Sequence, residues 1–87
     1  MKDTLICPTG ETFPVAPRDP AVGYTLDELY SHLNAEVIEV VPIVGGNILI
    51  VDEEGALKAL PWNKMASQFA GCCIRGFALL AAEGNLR

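Results

Sequence analysis

A run of about 18 apolar residues, the length a membrane-spanning helix needs, is missing from this chain. A charged opening followed by an apolar stretch is missing too, so the reading is a protein without membrane association that stays in the cytoplasm of the cell that makes it. Cysteine occurs three times, at Cys7, Cys72 and Cys73. An odd count without regular spacing excludes the disulfide framework of a secreted mini-protein and points to free thiols in a reducing compartment. Positive charge is scarce as well: six basic against eleven acidic residues give a formal charge of −5 and a sequence pI near 4.6. That balance excludes a nucleic-acid binder that works by neutralising phosphates. The carboxylates of Asp27, Glu28, Glu36, Glu39, Asp52, Glu53 and Glu54 are also too few to imitate a phosphate backbone.

Catalytic residue sets are equally thin. His32 is the only histidine and has no second candidate base in its own segment. A cysteine nucleophile needs such a base, and nothing local lowers a thiol pKa here. Cys72 and Cys73 fall in a predicted strand, where neighbours point to opposite faces, so they do not supply adjacent zinc ligands. Asp52-Glu53-Glu54-Gly55 has the acidity of a calcium loop but lacks its alternating oxygen ligands and terminal glutamate. Gly45-Gly46 lacks the lysine and following helix of a phosphate loop. The expectation is a protein that is not an enzyme and carries neither metal nor cofactor.

What is present reads as one α+β domain of 87 residues. A chain this short buries only roughly 60–65% of its unfolded surface, which makes support from a second copy physically useful. Thr4–Cys7 and Thr12–Ala16, separated by Pro8-Thr9-Gly10-Glu11, suggest an opening hairpin. Pro17 and Pro20 then mark residues 17–23 as an irregular loop. Thr25 with Glu28 three residues later makes a capping box, Tyr24 and Leu29 a hydrophobic staple, and Leu26, Leu29, Tyr30 and Leu33 an apolar stripe, so a helix is predicted over 26–33.

The pattern then turns β-branched. Residues 37–41 and 48–51 read as two strands of an antiparallel meander turning at Gly45-Gly46, with a weaker third strand over 56–60. Asn63 caps a second short helix carrying Met65, Ala66, Phe69 and Ala70 on one side, and Gly71 ends it. A last strand is predicted over 73–80, with a frayed tail over 82–87. Val37, Val41 and Ile43 lie opposite Ile38 and Val40 on the first meander strand, and its partner is apolar on both sides, so both sheet faces want cover. Two short helices are expected to cover one face, leaving the other to the N-terminal hairpin or to a second copy, and hence a homodimer.

The candidate binding residues are Trp62, Asn63, Lys64 and Arg75. Their structural roles would be core or helix entry, cap and solvent; grouped at one end of the sheet they would form an anion or nucleotide pocket, Trp62 stacking on a base and Lys64 and Arg75 holding phosphate.

Five short stretches, in order, carry a resemblance: Tyr24-Thr25-Leu26-Asp27-Glu28-Leu29, Ile38-Glu39-Val40-Val41-Pro42, Asp52-Glu53-Glu54-Gly55-Ala56-Leu57-Lys58, Leu60-Pro61-Trp62-Asn63, and Ile74-Arg75-Gly76 before an apolar strand. Over about two-thirds of the chain this is similar to a family of small bacteriophage and mobile-element proteins catalogued as a domain of unknown function (number 3846). Cys72-Cys73 and the proline-rich loop before Tyr24 depart from it. The resemblance implies a phage or mobile-element source and, by the company such proteins keep, a non-enzymatic accessory protein that binds a host protein, such as an inhibitor of host defence. The alternative is an oligomer that binds or sequesters a small nucleotide.

Overall fold

The computed structural model describes residues 3–43 and 45–85. The chain runs β1 (Asp3–Ile6), β2 (Thr12–Val15), α1 (Leu26–Leu33), β3 (Ile38–Ile43), β4 (Asn47–Asp52), α2 (Lys64–Ala70) and β5 (Ala78–Ala82), then a single 3-10 turn at Glu83–Asn85. The strands form one five-stranded sheet in the order β2-β1-β5-β4-β3, antiparallel at every pairing. It is a small α+β domain.

Local chemistry starts both helices. The Thr25 side chain accepts the Glu28 N–H, and the Glu28 carboxylate accepts the N–H groups of Thr25 at 2.8 Å and Arg18 at 2.7 Å. Those donors, Thr25 first, hold Glu28 below the usual carboxylate range, so its contribution to stability is lost as pH falls below that range. Asn34 ends α1 in the left-handed conformation at φ 50°. Asn63 caps α2, and Gly71, at φ 72°, closes it.

Strand alternation sends the two halves of the core to opposite faces. Ile48 and Ile50 of β4, with Leu79 and Ala81 of β5, meet Tyr24, Leu29, Leu33 and Ala35 in and around α1. Leu49, Val51 and Ala78 face the other way and meet Ile6, Ile74 and Ala66 of α2. Each helix therefore covers one face, which corrects the expectation that both would share a face. The N-terminal hairpin extends the sheet instead of folding over it. Cover on the α2 side is thin, because its inward positions are alanines: Ala66 is buried and Ala70 half-buried, while Met65 and Phe69 point away and stand 37% and 48% exposed. That too departs from the reading that set all four on one side.

Two strand assignments change. Residues 56–59 are turn, and none of residues 56–60 is strand. The side chain of buried Asp52 accepts the Glu54 N–H at 2.8 Å and the Lys58 ammonium at 2.9 Å, which curls the chain back, and Leu57 is left 86% exposed. The third strand of the meander is β5. It begins at Ala78 because Arg75 bridges Trp62, with Asn63 N–H on the Ile74 carbonyl and Gly76 N–H on that of Pro61, both at 2.8 Å. Gly55 is required beside this bridge, since an added Cβ there would lie 2.9 Å from the Arg75 carbonyl oxygen.

The C-terminal segment is tied down at least to Asn85, contrary to the frayed reading; residues 86 and 87 lie outside the described ones. Buried Asp3 is the knot. Its carboxylate accepts the Tyr24 hydroxyl at 2.7 Å, the Asn85 amide at 2.8 Å and the Ala82 N–H at 3.1 Å, and the Asn85 carbonyl takes the Tyr24 N–H. Burial, then the bond to Asp3, pushes the Tyr24 hydroxyl pKa far above its ordinary value. A group whose pKa is raised by folding stabilises fully below its unfolded pKa and loses that contribution above it. The unfolding free energy from urea titration is therefore expected to fall from about pH 10 upward, by at most about 1.4 kcal/mol per pH unit for one group, and the midpoint with it. Lys58, raised by its bond to Asp52, adds to the same limb. Tyr24→Phe should flatten it; wild-type and variant midpoints falling in parallel from pH 9 to 12 would contradict this assignment.

Hydrogen-bond phase settles what the sheet edges offer. Glu53 N–H bonds the Val37 carbonyl, so in β3 the odd-numbered residues bond to β4 while Ile38, Val40 and Pro42 turn their backbone groups outward. Cys7 N–H on the Glu11 carbonyl likewise turns Thr12 and Pro14 of β2 outward. Each edge thus has a proline at a position whose missing N–H would otherwise face solvent.

Candidate functional site

The region around α2 brings together most of the residues singled out in the sequence, although not as a phosphate pocket. Asn63 is fully buried. Its amide donates to the carbonyls of Ile6 at 3.0 Å and Gly76 at 2.8 Å, and its Oδ1 accepts the Ala66 N–H at 3.1 Å. With every group engaged, Asn63 works as an anchor under the surface.

Trp62 lies on top of that anchor, 55% exposed. Its indole N–H donates to Ser67 Oγ at 3.0 Å; that hydroxyl donates to the Asn63 carbonyl at 2.7 Å and accepts the Ile74 N–H at 2.8 Å. The ring is oriented through its N–H while about half of the residue stays exposed, an arrangement that lowers the ordering cost of a contact.

Lys64 and Arg75 do not converge. Lys64, Trp62, Gln68 and Cys72 line an open hollow of about 460 Å³. Arg75 donates to the Leu60 carbonyl at 3.0 Å and borders a different hollow of about 180 Å³, shared with Glu39, Asp52 and Glu53. Those carboxylates oppose a bound phosphate. On the far side of Pro61, Cys7, Pro8, Leu33, Asn34 and Phe77 border a groove of about 440 Å³. Burial, with the Glu11 charge adding, pushes the Cys7 thiol up and away from reactivity. His32 sits edge-on to the Tyr24 ring, centroids 6.4 Å apart. Among the described residues no group of three or more His, Cys, Asp or Glu side chains is placed to hold a metal, and no helix is long and apolar enough to cross a membrane.

Sequence reading missed Met65 and Phe69 as surface residues. The signal was there in Ala66 and Ala70: two alanines four apart are what a helix lying close on a sheet puts inward, and they displace the larger neighbours outward. From Trp62 to Phe77 the chain contains Lys64 and Arg75 and none of the eleven acidic residues. Lys64 is thus the one charged residue of α2 itself, while Arg75 stands beside Glu39 and Glu53 across its own hollow. Comparison with protein-family models, with curated proteins and with solved structures finds no match.

Proposed function

We propose that this is a non-enzymatic accessory protein of a phage or mobile element, acting in the host cytoplasm, that binds a host protein through α2, with a component of host defence as the kind of target its source suggests. The observation that carries the reading is the exposure of Trp62, Met65 and Phe69 on one seven-residue helix and its entry, above a backbone locked by Asn63 and Ser67. Large exposed apolar and aromatic side chains on a rigid support are what interface hot spots are made from. Lys64 among them favours a partner face that is apolar at its centre and acidic at its rim. The nucleotide alternative has less support, because Lys64 and Arg75 border different hollows and Asn63 is spent internally.

The test is differential capture from host lysate by wild type and by Trp62→Ala/Phe69→Ser. Both positions are exposed, so the melting temperature should move by only a few degrees. Wild type should retain a discrete protein that the variant releases. Identical recovered sets would remove α2 as the contact.

A homodimer belongs to the same proposal, placed at the free edge of β3. With the two-fold axis at Val40, Val40 pairs with its copy, the Ile38 N–H reaches the Pro42 carbonyl opposite, and Glu39 faces Val41. Shifted by one residue, Glu39 would face itself, which is unfavourable. Light scattering is expected to give twice the chain mass at micromolar concentration, and Val40→Lys to halve it; a monomer throughout would exclude this contact.

A further inference from the structure

The vicinal cysteines do not lie where strand alternation would place them. Because β5 starts only at Ala78, Cys72 and Cys73 fall in the turn just past Gly71, both exposed, and both line the hollow that contains Trp62, Lys64 and Gln68. Opposite-face geometry was the reason to set them aside, and it does not apply. The third cysteine supplies a contrast within the same chain. Cys7 is 7% exposed, held in β-sheet hydrogen bonding to Glu11, and its thiol is disfavoured as thiolate by burial. One accessible dithiol and one sequestered thiol make a selective site.

We propose that Cys72 and Cys73 form a thiol–disulfide exchange site for low-molecular-weight disulfides. One of the two thiolates attacks a sulfur of the disulfide R–S–S–R, forming a protein–S–S–R bond and releasing RS⁻. The neighbouring thiolate then attacks the protein sulfur of that bond and expels the second RS⁻. The protein loses two protons and two electrons and gains a Cys72–Cys73 bond, and the disulfide is reduced to two thiols. Neighbouring Cα atoms are about 3.8 Å apart, shorter than the separation of about 4.4–6.8 Å that disulfides ordinarily take. The bond is therefore strained and readily reversed, and the exposed turn, which no strand pairing holds, is the part of the chain able to adjust to it. The site lies on the flank of α2 and stands whether or not Trp62 contacts a partner.

Trp62 is the only tryptophan and borders the same hollow, so its emission reports on the pair. A disulfide formed beside an excited indole accepts an electron from it and quenches it. The experiment treats the native, reduced full chain with glutathione disulfide and reads intact mass, alkylatable thiols after unfolding, and emission. The expected result is a mass lower by two hydrogens, one of the three thiols still alkylatable and mapping to Cys7, and a loss of emission restored by excess reduced glutathione. Cys72→Ser and Cys73→Ser should each stop at a single glutathione adduct. Wild type that keeps three free thiols, that stops at glutathione adducts, or that forms the bond with Trp62 emission unchanged would overturn the proposal.

Discussion

Asn63→Ala should be the most damaging single substitution in this chain, lowering stability by roughly 3–5 kcal/mol. Three hydrogen bonds disappear with the side chain, and what they leave behind matters more than their number. The carbonyls of Ile6 and Gly76 and the N–H of Ala66 become buried groups without partners, each at a cost of about 1–3 kcal/mol before relaxation. The loss of an N-cap is one part of that total and is usually about 1 kcal/mol on its own. An 87-residue domain has roughly 4–13 kcal/mol in all. The melting temperature should therefore fall by more than 10 °C, because each kcal/mol moves a domain of this size by about 4–8 °C. Asn63→Ser keeps an acceptor for the cap but does not span to Ile6 and Gly76, so it should recover only a minor part. Thermal unfolding followed by circular dichroism decides this. A loss below about 1 kcal/mol would show that Asn63 is only a cap.

Asp3→Ala comes second, at roughly 3 kcal/mol, because three hydrogen bonds converge on its carboxylate and a typical one contributes about 0.5–1.5 kcal/mol net. The damage should be spread across the chain, since the carboxylate joins the first strand, the approach to α1 and the turn after β5. Tyr24→Phe removes one of the three donors and should cost about 1 kcal/mol. The double variant should be less destabilised than the sum of the two, with a coupling of 0.5 kcal/mol or more, as for directly bonded partners. Urea titrations of the four proteins give the coupling. Strict additivity would show that the Tyr24–Asp3 bond contributes nothing of its own.

These two residues also show where sequence reading reached its limit. Asn63 was legible as a cap from its position ahead of Met65 and Ala66, and the same logic found α1 through Thr25 and Glu28. Its bond to Ile6 was not legible, because it joins residues 57 positions apart. Nothing in the sequence singled out Asp3; only the sheet order, with β1 beside β5, brings Ala82 and Asn85 to it. The β-branched residues in β3 and β4 gave those strands by composition. Ala56–Leu60 failed the same test in the other direction: weakly alternating residues were read as strand, while buried Asp52 and Gly55 held the chain in a turn. The division of the two helices between the faces depends on how each connection crosses the sheet, which local patterning does not encode.

For the binding surface the lesson is similar. Trp62 and Lys64 were identified from residue type, and they do border one hollow. Arg75 is next to Trp62 in the backbone but sends its guanidinium to Leu60. Met65 and Phe69 were grouped with Ala66 and Ala70 on one side of the helix, and only the two alanines occupy the inward positions.

The most direct test of the proposed contact places a photo-crosslinking amino acid at exposed Gln68 on α2, with Asp27 on α1, over the opposite face of the sheet, as the control position. Irradiation in host lysate should yield a discrete crosslinked product from position 68 and none from position 27. Products from both positions, or from neither, would contradict a binding surface on α2.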